Sequence, residues 1–184
     1  MRINKLAPVV LVSLLNLPAA GFAGNLTCST YQGTLTLTPD PMCEITLLNT
    51  RPKWFPNVTF LAELGLPNSC FVGTIEGMLG NEVMSGRSVS AQTAHAYPAN
   101  ADSDQQLFTA VTMVQTRNTK GRSTGRLYFS DFGLINPANG ISHEQLIILG
   151  GTRQFRDARG ALTVAGNVFI GAPITGQVCL KKEE

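Results

Sequence analysis

Apolar and polar positions alternate with a period of two along much of this chain. Tyr31-Gln32-Gly33-Thr34-Leu35-Thr36-Leu37-Thr38 sets Thr against Leu on opposite faces, as a half-buried strand does. Pro39-Asp40-Pro41 ends it. Segments rich in Thr, Val, Ile, Leu and Phe then recur between Gly, Pro and Asn punctuation. They predict strands over 43–48, 71–79, 82–94, 107–117, 125–134, 142–149, 161–169 and 172–180. Gly80-Asn81, Asn118-Thr119-Lys120-Gly121 and Asn136-Pro137-Ala138-Asn139-Gly140 supply the tight turns. Residues 49–69 break the rhythm with Pro52, Pro56, Pro67 and the single Trp54. They predict a long surface excursion with one strand near 58–62. Residues 97–104 read as a polar loop. No stretch long enough for a helix carries a 3.6-residue period.

Many evenly spaced strands joined by short turns predict an antiparallel meander. A meander of this length must close or form a sandwich to dispose of its edges. Thr and Gly inside the strands suit a tightly curved barrel. The 184 residues make one domain, with only 14% charged side chains. That composition excludes coiled coils and charged disordered tails.

Residues 1–23 form a secretory signal: Arg2 and Lys5 precede an apolar run over 6–20, and Gly21-Phe22-Ala23 provides the cleavage site. The run is shorter than the roughly 20 residues that span a bilayer, so no stable membrane insertion is expected. Residues 24–184 are then the mature domain, periplasmic or secreted. Removing Arg2 and Lys5 from 14 basic side chains leaves 12 against 12 acidic ones, a net charge of 0. A neutral surface gives no long-range pull on nucleic acid. Cys28, Cys43, Cys70 and Cys179 form an even set, which in an exported chain favours two disulfides. No CxxC pair occurs and the two histidines, His95 and His143, lack ligand spacing, so no metal site is expected. No Walker loop or GxGxxG opening is present, and no cofactor is expected. No Gly-x-Ser-x-Gly elbow accompanies either histidine, which argues against a hydrolase.

One motif is specific. Gly150-Gly151-Thr152-Arg153-Gln154-Phe155-Arg156-Asp157-Ala158-Arg159-Gly160 joins two expected strands. It resembles the GGTGxFxxARG signature of dirigent proteins, whose superfamily includes the allene oxide cyclases and many exported bacterial barrels. A looser resemblance runs from about 107 to 180. It implies a closed eight-stranded antiparallel barrel around an apolar cavity, in agreement with the strand pattern. Gly150, Gly151, Thr152, Phe155, Ala158, Arg159 and Gly160 match the signature, and Arg153 replaces its third Gly. The motif reads as structural. Its glycines allow a sharp bend, Phe155 plugs a barrel end, and Arg159 reaches turn carbonyls with its guanidinium.

An even-stranded closed barrel sets its first and last strands side by side and antiparallel. This favours the pairs Cys28–Cys179 and Cys43–Cys70. The alternative is Cys28–Cys43 with Cys70–Cys179.

Ionisable groups on an inward register would be the chemical residues of such a barrel. The candidates are Glu76, Arg126, Tyr128, Asp131, His143 and Glu144. Two functional classes follow. One is an exported barrel that binds a small apolar molecule or serves as a stable module. The other is a cyclase- or dirigent-like enzyme that steers a reactive intermediate within the cavity. The lack of any cofactor motif favours the first. Oligomeric state is open, a homo-oligomer included. An enclosed pocket with two convergent ionisable groups would favour the enzyme, and a barrel filled by side chains the module.

Overall fold

The computed structural model describes residues 26–43, 45, 48, 57–66, 69–98 and 104–181. The signal expected over 1–23 and Trp54 lie outside the described residues. Eight strands run in chain order: β1 (Leu26–Pro39), β2 (Cys70–Leu79), β3 (Glu82–Ala96), β4 (Gln106–Arg117), β5 (Ser123–Ile135), β6 (Ile141–Arg153), β7 (Arg159–Asn167) and β8 (Ala172–Lys181). Each pairs antiparallel with the next, and β8 returns to β1, so the sheet closes as a barrel.

The alternation read in the sequence is the inside–outside alternation of this wall. Leu35 and Leu37 of β1, Ile75 of β2, Val114 of β4, Phe129 of β5, and Leu162 of β7 belong to one apolar cluster that fills the barrel. The intervening outward positions are polar, as Thr30, Gln32, Thr34, Thr36 and Thr38 show on β1. Glycines at inward positions give way to large neighbours. The hydroxyl of Tyr31 covers both Gly33 and Gly77, lying 2.7 Å from where a Cβ would stand at either. The Tyr31 hydroxyl donates to the Met84 carbonyl at 3.4 Å.

Both disulfides favoured from the sequence form. Cys28 and Cys179 are direct partners across the β1–β8 seam, with Cα atoms 3.8 Å apart. Cys28 lies within β1, which begins earlier than the alternation at Tyr31 indicates. Cys43–Cys70 ties the excursion to the start of β2.

The excursion differs from expectation. Among the described residues, Cys43, Ile45 and Leu48 are not in a strand, and the stretch near 58–62 leads into a short 3-10 helix, Leu61–Leu64. A closed barrel has no unpaired edge for further strands to join. The excursion instead packs by side chains against the outer wall. Leu48 and Phe60 bury against Val89, Ala91, Val111, Met113 and Tyr128. Under this cover β3 and β4 are buried on both faces, over 88–92 and 110–114.

Candidate interior site

Register decides which polar side chains enter the barrel. On β5, Leu127, Phe129 and Ile135 belong to the interior cluster, so Asp131 at the same parity also points inward. Arg126 and Tyr128 take the opposite parity. Tyr128 is buried in the cluster beneath the excursion, outside the barrel. Arg126 is half-buried on the outer wall, its backbone N–H donating to Thr152 Oγ1 at 3.1 Å. On β6, Leu146 and Ile148 face inward and bring Glu144 with them, leaving His143 exposed. On β2, Ile75 faces inward and Glu76 is exposed. Of the six candidates from the sequence, the structure brings only Asp131 and Glu144 together inside the barrel.

Asp131 pairs with Leu146 and Glu144 with Gly133, so the two acids are diagonal neighbours on the inner face. Such neighbours lie about 7–8 Å apart at Cα, within side-chain reach. Gly133 makes the room: a Cβ there would fall 2.7 Å from Glu144 Cβ. Thr112 of β4 donates a hydrogen bond to Asp131 Oδ2. The other oxygen, Oδ1, is buried without a protein partner, and so is Ser88 Oγ.

A cavity of about 20 Å³ opens here. Ser88, Ser90, Thr112 and Glu144 line it, within walls that include Leu35, Val114 and Phe129. Glu144 keeps intermediate accessibility although the barrel encloses it, and it lines this cavity.

Electrostatics follow from the apolar surroundings. Burial pushes the Glu144 carboxyl up to about 7. Burial first, and the Glu144 charge second, hold Asp131 well above the usual carboxylate range, against the lowering effect of the Thr112 hydrogen bond. Burial, aided by the Glu76 charge, also raises the Tyr31 phenol. Groups with raised carboxyl pKa values act as hydrogen-bond donors near neutrality. Thr112, Ser88 and Ser90 were not singled out in the sequence. Their signal is parity: each shares a register with neighbouring inward positions, such as Val114 and Ala110 on β4.

The late motif builds one barrel end. Its turn closes through Phe155 N to Thr152 O at 3.1 Å and Ala158 N to Phe155 O at 3.0 Å. Phe155 and Ala158 are fully buried in the interior cluster. Arg159 donates to the carbonyls of Leu149 and Ala158 at 3.0 and 2.9 Å. Arg153, Arg156 and Arg159 are all exposed. Among the described residues no three His, Cys, Asp or Glu side chains gather into a metal-binding group. No helix among them is long and apolar enough to cross a membrane.

No protein-family model matches the chain. No curated protein matches it at a significant level.

Proposed function

We propose that this chain is an exported, disulfide-locked member of the dirigent and allene oxide cyclase-like barrel superfamily, and that it serves as a stable extracytoplasmic module. The observation that carries this reading is the filled interior. Pockets that hold organic ligands typically enclose about 300–1,000 Å³. The barrel cavity encloses about 20 Å³. Leu, Ile, Val and Phe side chains occupy the space where an apolar ligand would sit.

Two further features support the reading. Two disulfides, one of them joining the first and last strands, suit an oxidising compartment. The wall also has its apolar residues inside and threonines outside on β1, the reverse of a lipid-facing barrel. Membrane insertion is therefore not part of the proposal.

A second reading has one observation in its favour. Asp131 and Glu144 are diagonal neighbours on the inner face and Glu144 lines the cavity, a pairing that the proton-handling groups of a cyclase-like enzyme would need. It requires side chains to move aside before any substrate enters.

Native mass spectrometry of protein exported by its own host, joined to N-terminal sequencing, separates these readings. The module predicts the bare mass of a chain beginning at Gly24 with two disulfides. A co-purified organic ligand overturns the module in favour of a binding protein or enzyme, and a chain still beginning Met-Arg-Ile overturns export with cleavage.

A further inference from the structure

The two disulfides sit in different mechanical settings. Cys28 and Cys179 are ladder partners, with paired residues on both sides, from Leu26 and Lys181 to Leu35 and Ala172. A thiol that opened this bridge would leave both sulfurs held together by the hydrogen-bonded seam. The freed cysteine would then displace the intruder at a high effective concentration. Cys43 has no such frame. It lies outside any strand, and its backbone is left-handed, with φ at 45°. Its partner Cys70 opens β2 and is 2% exposed, whereas Cys43 is half-buried. Both line a surface cavity of about 430 Å³, whose walls include Met42, Ala62 and Leu66. Small-molecule pockets typically enclose about 300–1,000 Å³, so a reagent has room beside this bridge. Exposure alone does not separate the two bridges, since Cys28 is exposed too. What separates them is how firmly the thiols are held once the bond is broken.

We propose that Cys43–Cys70 is a thiol–disulfide exchange site for a dithiol, and that its opening loosens the excursion from the outer wall. A thiolate of the dithiol enters the cavity and attacks Sγ of Cys43, the more accessible residue of the pair. The Cys43–Cys70 bond breaks, and Cys70 leaves as a thiolate that takes up a proton. The second thiolate of the dithiol then attacks its own sulfur in the mixed disulfide. Cys43 leaves and is protonated in turn, and the dithiol departs as a disulfide. Two electrons have passed to the protein, with no further reactant. Opening relieves the left-handed backbone at Cys43 and unties two positions 27 residues apart. The excursion is then retained without a cross-link, by packing of Leu48 and Phe60 against the wall. Val89, Ala91, Val111 and Met113 form the apolar face beneath, which a loosened excursion uncovers. The barrel stays closed, because β1 to β8 pair without this bridge. The inference goes beyond the module reading and does not rest on it, since the bridge lies on the excursion side of the wall.

The test is a titration of the full exported chain with mixtures of reduced and oxidised dithiothreitol. Each step is quenched by alkylation, mapped peptide by peptide, and paired with amide hydrogen exchange. The site predicts that Cys43 and Cys70 are alkylated at a reduced-to-oxidised ratio at least about tenfold below the one that opens Cys28–Cys179. The amides of Leu48, Glu63 and Leu66 donate to carbonyls within the excursion. Their exchange should rise about tenfold or more in that interval, while the barrel amides stay protected. Cys43→Ser combined with Cys70→Ser should show the same fast exchange with no reductant. The titration of the unaltered chain keeps the test available should that double variant fail to fold. Opening of Cys28–Cys179 first or in the same interval, or no opening of either bridge before the barrel unfolds, overturns the proposal. So does selective opening of Cys43–Cys70 with exchange in the excursion unchanged, which identifies an accessible bridge that does not hold the excursion down.

Discussion

Phe155 lies directly over Gly151: a Cβ added to that glycine would stand 2.6 Å from the Phe155 Cβ. Gly125 on the adjoining strand makes the matching space, with its added Cβ 3.0 Å from Phe155 Cδ2. The ring is wholly buried. Phe155→Ala should therefore cost about 3–5 kcal/mol, through lost burial and the cavity left behind. Gly151→Ala should be destabilising as well, since the Arg126 carbonyl lies 2.1 Å from its added Cβ. Urea melts of both variants check this. A Phe155→Ala protein with an unchanged midpoint contradicts the plug.

Arg153 gives the opposite sign. It occupies the position where the resembling signature has glycine, and its φ of 55° is left-handed. A non-glycine residue there carries a penalty of about 1 kcal/mol. Its guanidinium returns some of this by donating to the Ser123 carbonyl at 2.7 Å, though at an exposed position. Arg153→Gly should be neutral or stabilising, by no more than about 1 kcal/mol. Thermal denaturation beside the parent measures it, and a clear loss would show that the Ser123 hydrogen bond outweighs the backbone strain.

The barrel was legible in the sequence because a closed wall imposes a strict period of two, and β1 shows it in Thr34-Leu35-Thr36-Leu37. The signal blurs where a second layer covers the wall. Residues 110–114 of β4 are buried on both faces, so their pattern is continuous rather than alternating. The excursion departs from its local pattern for a related reason. Local propensity favoured strands near 43–48 and 58–62, but a closed sheet offers no edge, and packing of Leu48 and Phe60 prevailed. The interior acids were within reach of the same period. Only one of His143 and Glu144 can face inward, and Leu146 selects Glu144. Tyr128 and Asp131 are likewise of opposite parity. What parity does not carry is distance around the barrel, so the placing of Ser88 and Thr112 on the inner wall depends on how the strands close.

The β1–β8 seam should depend on its disulfide. Cys28–Cys179 spans 151 positions, so reduction frees the loop that contains nearly all of the barrel. The loop-entropy account assigns close to 5 kcal/mol to such a closure, and measured values are often smaller. The double variant Cys28→Ser with Cys179→Ser should lose about 2–5 kcal/mol. The Cys43–Cys70 pair closes a shorter loop and should contribute less to the barrel, as it anchors the excursion. Non-reducing peptide mapping checks the pairing first. A Cys28 peptide joined to the Cys43 peptide would contradict both bridges.

Stability should fall as pH rises through the range in which Glu144 titrates. The carboxyl has an ordinary value near 4.5 and stands at about 7 in the folded barrel. Below the lower value both folded and unfolded chains are protonated there, and the group contributes no difference. Between the two values the unfolded chain ionises and the folded one does not, so the folded state binds more protons. The slope of unfolding free energy with pH is then negative, and it levels off above about 7. With about 1.36 kcal/mol for each pH unit, Glu144 lowers stability by about 3 kcal/mol across this window. Asp131 adds to the loss in the same direction, its carboxyl being held up chiefly by burial. Among the described positions on the inward register the other titratable side chains are Tyr31 on β1, Glu82 at the exposed start of β3, and His95, opposite Phe108 near the end of β3, so no interior Lys or Arg offsets the acids. Exposed carboxylates act oppositely at low pH, which makes the comparison with Glu144→Gln the decisive one. Urea titrations at pH 4 and pH 8 should show the parent losing about 3 kcal/mol more than Glu144→Gln. Parallel losses in the two proteins would mean that Glu144 ionises as easily inside the barrel as outside it.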